Sequence, residues 1–209
     1  MVAYNLSNLE ILVVEDNSFV QRILRGILRE FNFNKIRVHA GGDVAYGMFK
    51  NYPADLVFMG WSPVLDLPRA KARAAAEGET QEAGSSEQTN KEETPSSAEQ
   101  EGGEKRSVVN FLEMVRLDKS SPNRFVPVIV YSSFTEERQV MRARDMGMTE
   151  FLAMPISART VYSRICAVIE HPRPFVRSPD FFGPDRRRRQ APFNHEERRV
   201  AEPQIELPE

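Results

Sequence analysis

The residues with the most evident chemical potential are two adjacent carboxylates, Glu15 and Asp16, which follow the apolar run Ile11-Leu-Val-Val14 and precede Asn17. Like charges held side by side at the end of a strand repel and raise a pKa. A divalent cation with oxygen ligands would relieve that repulsion. The alternative is a solvated pair, with Asp16 or Asn17 contributing to the cap of the following helix. Spacing alone leaves both open. A second candidate is the run Arg186, Arg187, Arg188 and Arg189, which could neutralise the phosphates of nucleic acid or of anionic lipid. Asp180, Asp185, Glu196, Glu197, Glu202, Glu206 and Glu209 nearly cancel the arginines of the whole tail, and no helix-turn-helix, zinc or RNA-binding motif precedes them. Nucleic acid is therefore not the expected partner. Phe175, Phe181 and Phe182, interleaved with Arg and Pro, read instead as a short linear motif that docks on a partner or back on the domain. A plain solvated tail is the other reading. His39, His171 and His195 are scattered, and no Cys–His or Ser–His–Asp set, phosphate-cradling glycine loop or zinc spacing is present. No enzyme and no cofactor are expected.

The elements that must position these groups emerge once two stretches of different composition are set aside. From Glu77 to Glu104 nine glutamates face the single Lys91, with no aromatic, Ile, Leu or Val. Such a segment cannot offset the entropy of ordering, so residues 67–106 are expected to be a disordered acidic insertion. After His171, prolines at 172, 174, 179, 184 and 192 mark a tail, 172–209, expected to be mostly disordered. What remains of the 209 residues is a single unit over 8–171, interrupted by the insertion. Its net charge near −2 marks the chain as neither a polycation nor an acidic mimic. The lone Cys166 excludes an intramolecular disulfide and suits a reducing compartment. The segment Met1–Glu15 lacks the basic start of a signal peptide, and no run has membrane-spanning length, so a cytoplasmic protein is expected.

Within that unit, short apolar runs alternate with helical periodicity. Glu10–Val14, Ile36–Ala40, Asp55–Met59, Val126–Tyr131 and Phe151–Ala153 read as strands. Ser18 and Gln21 have capping-box spacing before a helix whose apolar face carries Phe19, Val20, Ile23, Leu24, Ile27, Leu28 and Phe31. Val44, Ala45, Met48 and Phe49 line a second helix, and Val108, Phe111, Leu112 and Val115 a third. Thr135 is placed to cap a fourth, which Gly147 ends. Ser157 caps a fifth, whose stripe holds Val161, Ile165, Cys166, Val168 and Ile169. Five βα units in series predict an α/β fold with a parallel sheet, right-handed crossovers and helices on both faces. A site belongs at the carboxyl ends of the strands.

Several short motifs in the expected order resemble the receiver domain of response regulators in bacterial two-component signalling. They are Val13-Val-Glu-Asp-Asn17, Ala54-Asp-Leu-Val-Phe-Met59 with Trp61-Ser-Pro-Val-Leu-Asp66, Val128-Ile-Val-Tyr-Ser132, Ala143–Gly147 and Phe151-Leu-Ala-Met-Pro155. The resemblance spans everything but the insertion and the tail. It implies a flavodoxin-like (βα)5 sheet of order 2-1-3-4-5 and a phosphorylation pocket. Carried over position by position, Glu15 and Asp16 match the acidic pair that holds Mg2+. Ser132 matches the hydroxyl after the fourth strand, Phe151 the aromatic that changes rotamer, and Pro155 the proline after a cis peptide. Two positions depart from the pattern. Gly60 stands where the family has its acceptor aspartate, and Met154 where it has lysine. No acyl phosphate can form on a glycine, and methionine keeps lysine's stem without its ammonium. The sequence therefore resembles a degenerate pseudo-receiver: a stand-alone protein of a phosphorelay pathway that binds a histidine kinase or downstream regulator without being phosphorylated. Mg2+ at Glu15 and Asp16 is expected to be weak or absent. The alternatives are a substitute acceptor, Asp66 or Ser62, or an adaptor working through the arginine run.

Overall fold

The computed structural model describes residues 6–62, 108–178, 181–185 and 204–206. Five strands, β1 (Glu10–Val14), β2 (Lys35–His39), β3 (Leu56–Gly60), β4 (Val128–Ser132) and β5 (Glu150–Ala153), form one parallel sheet in the order β2-β1-β3-β4-β5. The helices are α1 (Ser18–Glu30), α2 (Gly42–Asn51), α3 (Val108–Leu117), α4 (Glu137–Asp145) and α5 (Ala158–Glu170). The three central strands are continuous runs of apolar residues because both of their faces are covered. Alternate residues go to opposite faces. Leu12, Val14, Val57, Met59, Val128 and Val130 pack with Ala45 and Phe49 of α2, Phe111, Leu112 and Val115 of α3, and Ala143 of α4. Ile11, Val13, Leu56, Phe58, Ile129 and Tyr131 pack with Leu24 and Leu28 of α1 and Val161 and Ile165 of α5. Register sets the neighbours that matter below: Gly60 lies opposite Tyr131, and Ser132 opposite Ala153.

Several local expectations are corrected. The N-cap of α1 is Asn17, not Ser18: its side chain accepts from Phe19 N at 2.9 Å and Val20 N at 3.4 Å, and the Asn17 backbone is extended, as a cap requires. Gln21 closes no capping box; its amide Nε2 donates to Glu15 O at 2.6 Å. Phe19 and Ile23, expected on the core face, are exposed, because Leu24 and Leu28 define the buried stripe and those two point away from it. Val44 is likewise exposed. Glu136 rather than Thr135 precedes α4 and makes no side-chain cap bond. Ser157 does cap α5, reciprocally with Thr160. Gly147 takes φ +95° just past α4, the left-handed turn that glycine tolerates.

Three short strands lie within the tail. Phe175–Ser178 (β6), Phe181–Pro184 (β7) and Gln204–Glu206 (β8) form a separate antiparallel sheet of order β7-β6-β8. Phe175 and Phe182 are buried. These strands are the part of the tail that composition did not show, because its apolar contribution rests on few residues, Phe175 and Phe182 among them. Arg186–Arg189, Asp66 and the insertion expected at 67–106 lie outside the described residues. Among the described residues no helix is long and apolar enough to cross a membrane.

Candidate functional site

The acidic pair sits where β1 turns into α1, and both carboxylates are tied to the protein. Glu15 N continues the ladder to His39 O at 3.0 Å. Its carboxylate accepts from Asn17 N through Oε1 at 2.7 Å and from the Tyr131 hydroxyl through Oε2 at 2.7 Å. Asp16 Oδ1 accepts from Gly41 N at 2.7 Å, pinning the turn between β2 and α2. Gly41 adopts φ +77° in that turn.

Gly60, at the carboxyl end of β3, leaves a gap that Glu15 and Tyr131 fill. A Cβ at position 60 would stand 2.1 Å from Glu15 Oε2, 2.9 Å from Glu15 Cδ and 3.2 Å from Tyr131 Cε2. The Glu15 carboxylate thus lies against the place where an acceptor side chain would begin. Tyr131 was not among the candidate residues. Burial first, and the Glu15 charge second, hold its phenol well above its ordinary pKa, so it stays protonated and donates. A polar ring ending an otherwise apolar strand was the available signal, but its meaning depended on the register that sets Tyr131 beside Gly60.

Ser132 is buried at the end of β4, and its Oγ accepts from Phe134 N at 3.0 Å, turned toward its own loop. Met154 N donates to Ser132 O at 2.9 Å, which brings the end of β5 to the site. The Met154 side chain packs on the α1/α5 side of the core, and the Met154–Pro155 peptide is cis. Phe151 is partly buried against the opposite core cluster. Trp61 is buried in that same cluster, and its backbone N–H donates to Tyr131 O at 2.9 Å. Ser62 follows it, partly buried. The structure thus brings Glu15, Asp16, Gly60, Ser132 and Met154 to one end of the sheet, and leaves Phe175, Phe181 and Phe182 in the separate C-terminal sheet.

The receiver pattern implies a divalent cation at the acidic pair. Three of the four carboxylate oxygens of Glu15 and Asp16 already accept protein hydrogen bonds, and position 60 brings no carboxylate. Among the described residues no three His, Cys, Asp or Glu side chains converge on one point. This set does not make the shell of oxygen ligands such an ion takes.

The sheet order, the acidic turn after β1 and the hydroxyl after β4 define the class: this is the receiver fold of response regulators, and the chain is homologous to one of them by sequence. No family model matches it. The chain is 20% identical over 163 residues to chemotaxis protein CheY-3 of Vibrio cholerae, spanning 78% of this chain and 93% of that protein. The crystal structure of Vibrio cholerae CheY4 matches with TM-score 0.51 at 13% identity, over 77% of this chain and 98% of that one. The receiver domain of a sensor histidine kinase from Pseudomonas aeruginosa, with magnesium coordinated in its active-site cleft, matches with TM-score 0.51 at 17% identity, over 78% and 98%. A CheX–CheY–BeF3–Mg2+ complex from Borrelia burgdorferi matches with TM-score 0.50 at 20% identity, over 77% and 89%. The homology supports a response-regulator-like role.

Proposed function

We propose that this chain is a signalling module that works without phosphorylation, by binding a protein of a two-component pathway, either a histidine kinase or a downstream regulator. The observation that carries the reading is the pocket closed from within: Gly60 has no carboxylate, and the Glu15 side chain, held by Tyr131, stands against the vacated place. Phosphoryl transfer needs an attacking oxygen in line with the leaving group and a cation bridging the reacting oxygens. Neither requirement is met by the side chains gathered here. Met154 contributes an apolar stem, and Ser132 spends its hydroxyl oxygen on Phe134 N.

Protein binding is supported by the relative whose CheY is complexed with CheX. A partner can still shift conformers of this chain, because population shift requires differential binding rather than covalent chemistry. The test is incubation of the full chain with acetyl phosphate and Mg2+, followed by intact-mass measurement. The expected result is no gain of about 80 Da, the mass of one phosphoryl group. A stoichiometric adduct, on Ser62, Asp66 or any other residue, overturns the reading.

A further inference from the structure

The C-terminal sheet covers a group of side chains that neither the receiver core nor the pocket uses. Arg116 ends α3 almost fully buried, at 1% exposure. Its Nε donates to Gly147 O at 3.0 Å and its Nη1 to Arg124 O at 2.6 Å, while Arg124 Nε returns a bond to Arg116 O at 2.7 Å. Phe175 lies over the Arg116 guanidinium at 5.1 Å, and Phe182 over that of Arg124 at 4.2 Å. The Phe125 ring meets Phe175 at 5.0 Å and Phe182 at 5.3 Å between centroids. Glu206 pairs with Arg177 and adds its charge beside Arg124. A Cβ on Gly183 would stand 2.8 Å from Phe181 Cζ within the segment and 2.9 Å from Gly147 Cα across from it.

We propose that the face formed by Arg116, Arg124 and Phe125 is a docking site for an extended peptide segment carrying aromatic and acidic side chains, and that the strands β6, β7 and β8 occupy it in cis. Three observations point to a ligand rather than to a sixth layer of core. The segment pairs only with itself: β6, β7 and β8 form their own sheet and share no ladder with β1–β5. It is held by rings over guanidiniums and by aromatic edges, the contacts by which separate chains recognise one another. Its fit is also incomplete. Arg116 Nη2 is buried with no hydrogen-bond partner, and among the described residues neither Arg116 nor Arg124 is in an ion pair. A buried cation without a carboxylate is costly, and burial together with the nearby Arg124 charge lowers the Arg116 pKa to about 9. A partner segment that set a carboxylate on Arg116 would remove that cost. The tethered occupant holds the site because its effective concentration is on the order of millimolar.

The test uses the full chain and its Gly183→Val variant, in which the first added carbon meets the Phe181 ring and the Gly147 backbone while Arg116, Arg124 and Phe125 are unchanged. Hydrogen exchange reads both proteins, and a fluorescein-labelled peptide of this chain's residues 172–209 is the probe. The expected result is protection of 128–132 in both proteins and of 175–178 in the wild type alone. The peptide should bind the variant at least ten-fold more tightly than the wild type, and adding Arg124→Ala should abolish that binding. Three outcomes overturn the proposal. In one, 128–132 lose protection in the variant, making the segment part of the core. In another, 175–178 stay protected in it. In the third, the released variant ignores the peptide.

Discussion

A single missing side chain at position 60 reorganises its neighbours. Hydrogen at that position admits the Glu15 carboxylate to within 2.1 Å of where a Cβ would be, and the Tyr131 hydroxyl fixes it there at 2.7 Å. Restoring the aspartate that the family pattern calls for is therefore not a simple reversal. Gly60→Asp forces Glu15 out of place and sets a new charge beside it, so unfolding free energy should fall by about 1–3 kcal/mol. Glu15→Gln should recover part of that loss, a coupling that chemical denaturation of the double-mutant cycle would measure. Strict additivity would mean that the two carboxylates do not repel each other. Tyr131 permits a second prediction, this one in pH. Its folded pKa lies above the ordinary value of 10.0. Below pH 10 both states hold the proton; above it the unfolded chain ionises first, so stability falls as pH rises. Arg116 titrates with the opposite sign, its folded pKa being depressed to about 9: its unfolded form keeps the proton longer, and stability rises through that range. Subtracting the stability curve of Tyr131→Phe from that of the wild type isolates the tyrosine. The difference should shrink above pH 10, and a flat difference would show that the phenol gains nothing from its burial. The losses at 60 and 154 were legible from residue type alone. What fills the vacancy was not, because it depends on which residue of β4 lies opposite Gly60.

At the scale of elements, periodicity located all five strands and all five helices of the parallel sheet, since runs buried on both faces and amphipathic stripes are properties of local composition. Helix ends were less legible. Asp16, Asn17 and Ser18 are all good N-cap residues by type, and only the backbone decides among them: Asn17 sits at φ −84°, ψ 110°, with its side-chain oxygen facing the free N–H groups of Phe19 and Val20. Asn17→Ala should therefore cost about 1 kcal/mol in urea denaturation, while Ser18→Ala, inside the first turn, should stay within about 0.5 kcal/mol. Equal losses would return the cap to Ser18. The same limit explains Phe19 and Val44. Each is apolar at a position that a wide helical stripe could include, and each faces away once Leu24 and Leu28, or Ala45 and Phe49, take the core.

At the scale of the molecule, the receiver frame has its sheet and its acidic turn, with Gly60 and Met154 where the resemblance calls for aspartate and lysine. Stability should register the consequence for cation binding through linkage. A ligand that binds only the folded state at 100 times its Kd adds about 2.7 kcal/mol, which in a domain of this size moves Tm by several degrees. If Glu15 and Asp16 held a cation as the acidic pair of the family does, ~10 mM Mg2+ would be well above a sub-millimolar Kd and its removal would be plain in the melting curve. With three of four carboxylate oxygens committed to Asn17 N, Gly41 N and Tyr131, the expected result is the same Tm in Mg2+ and in chelator. The receiver from Pseudomonas aeruginosa that coordinates magnesium serves as the comparison in which the shift should appear. A shift in this chain that Glu15→Gln abolished would mean the cation can displace the Tyr131 bond, and the closed pocket would then be a resting state that metal opens.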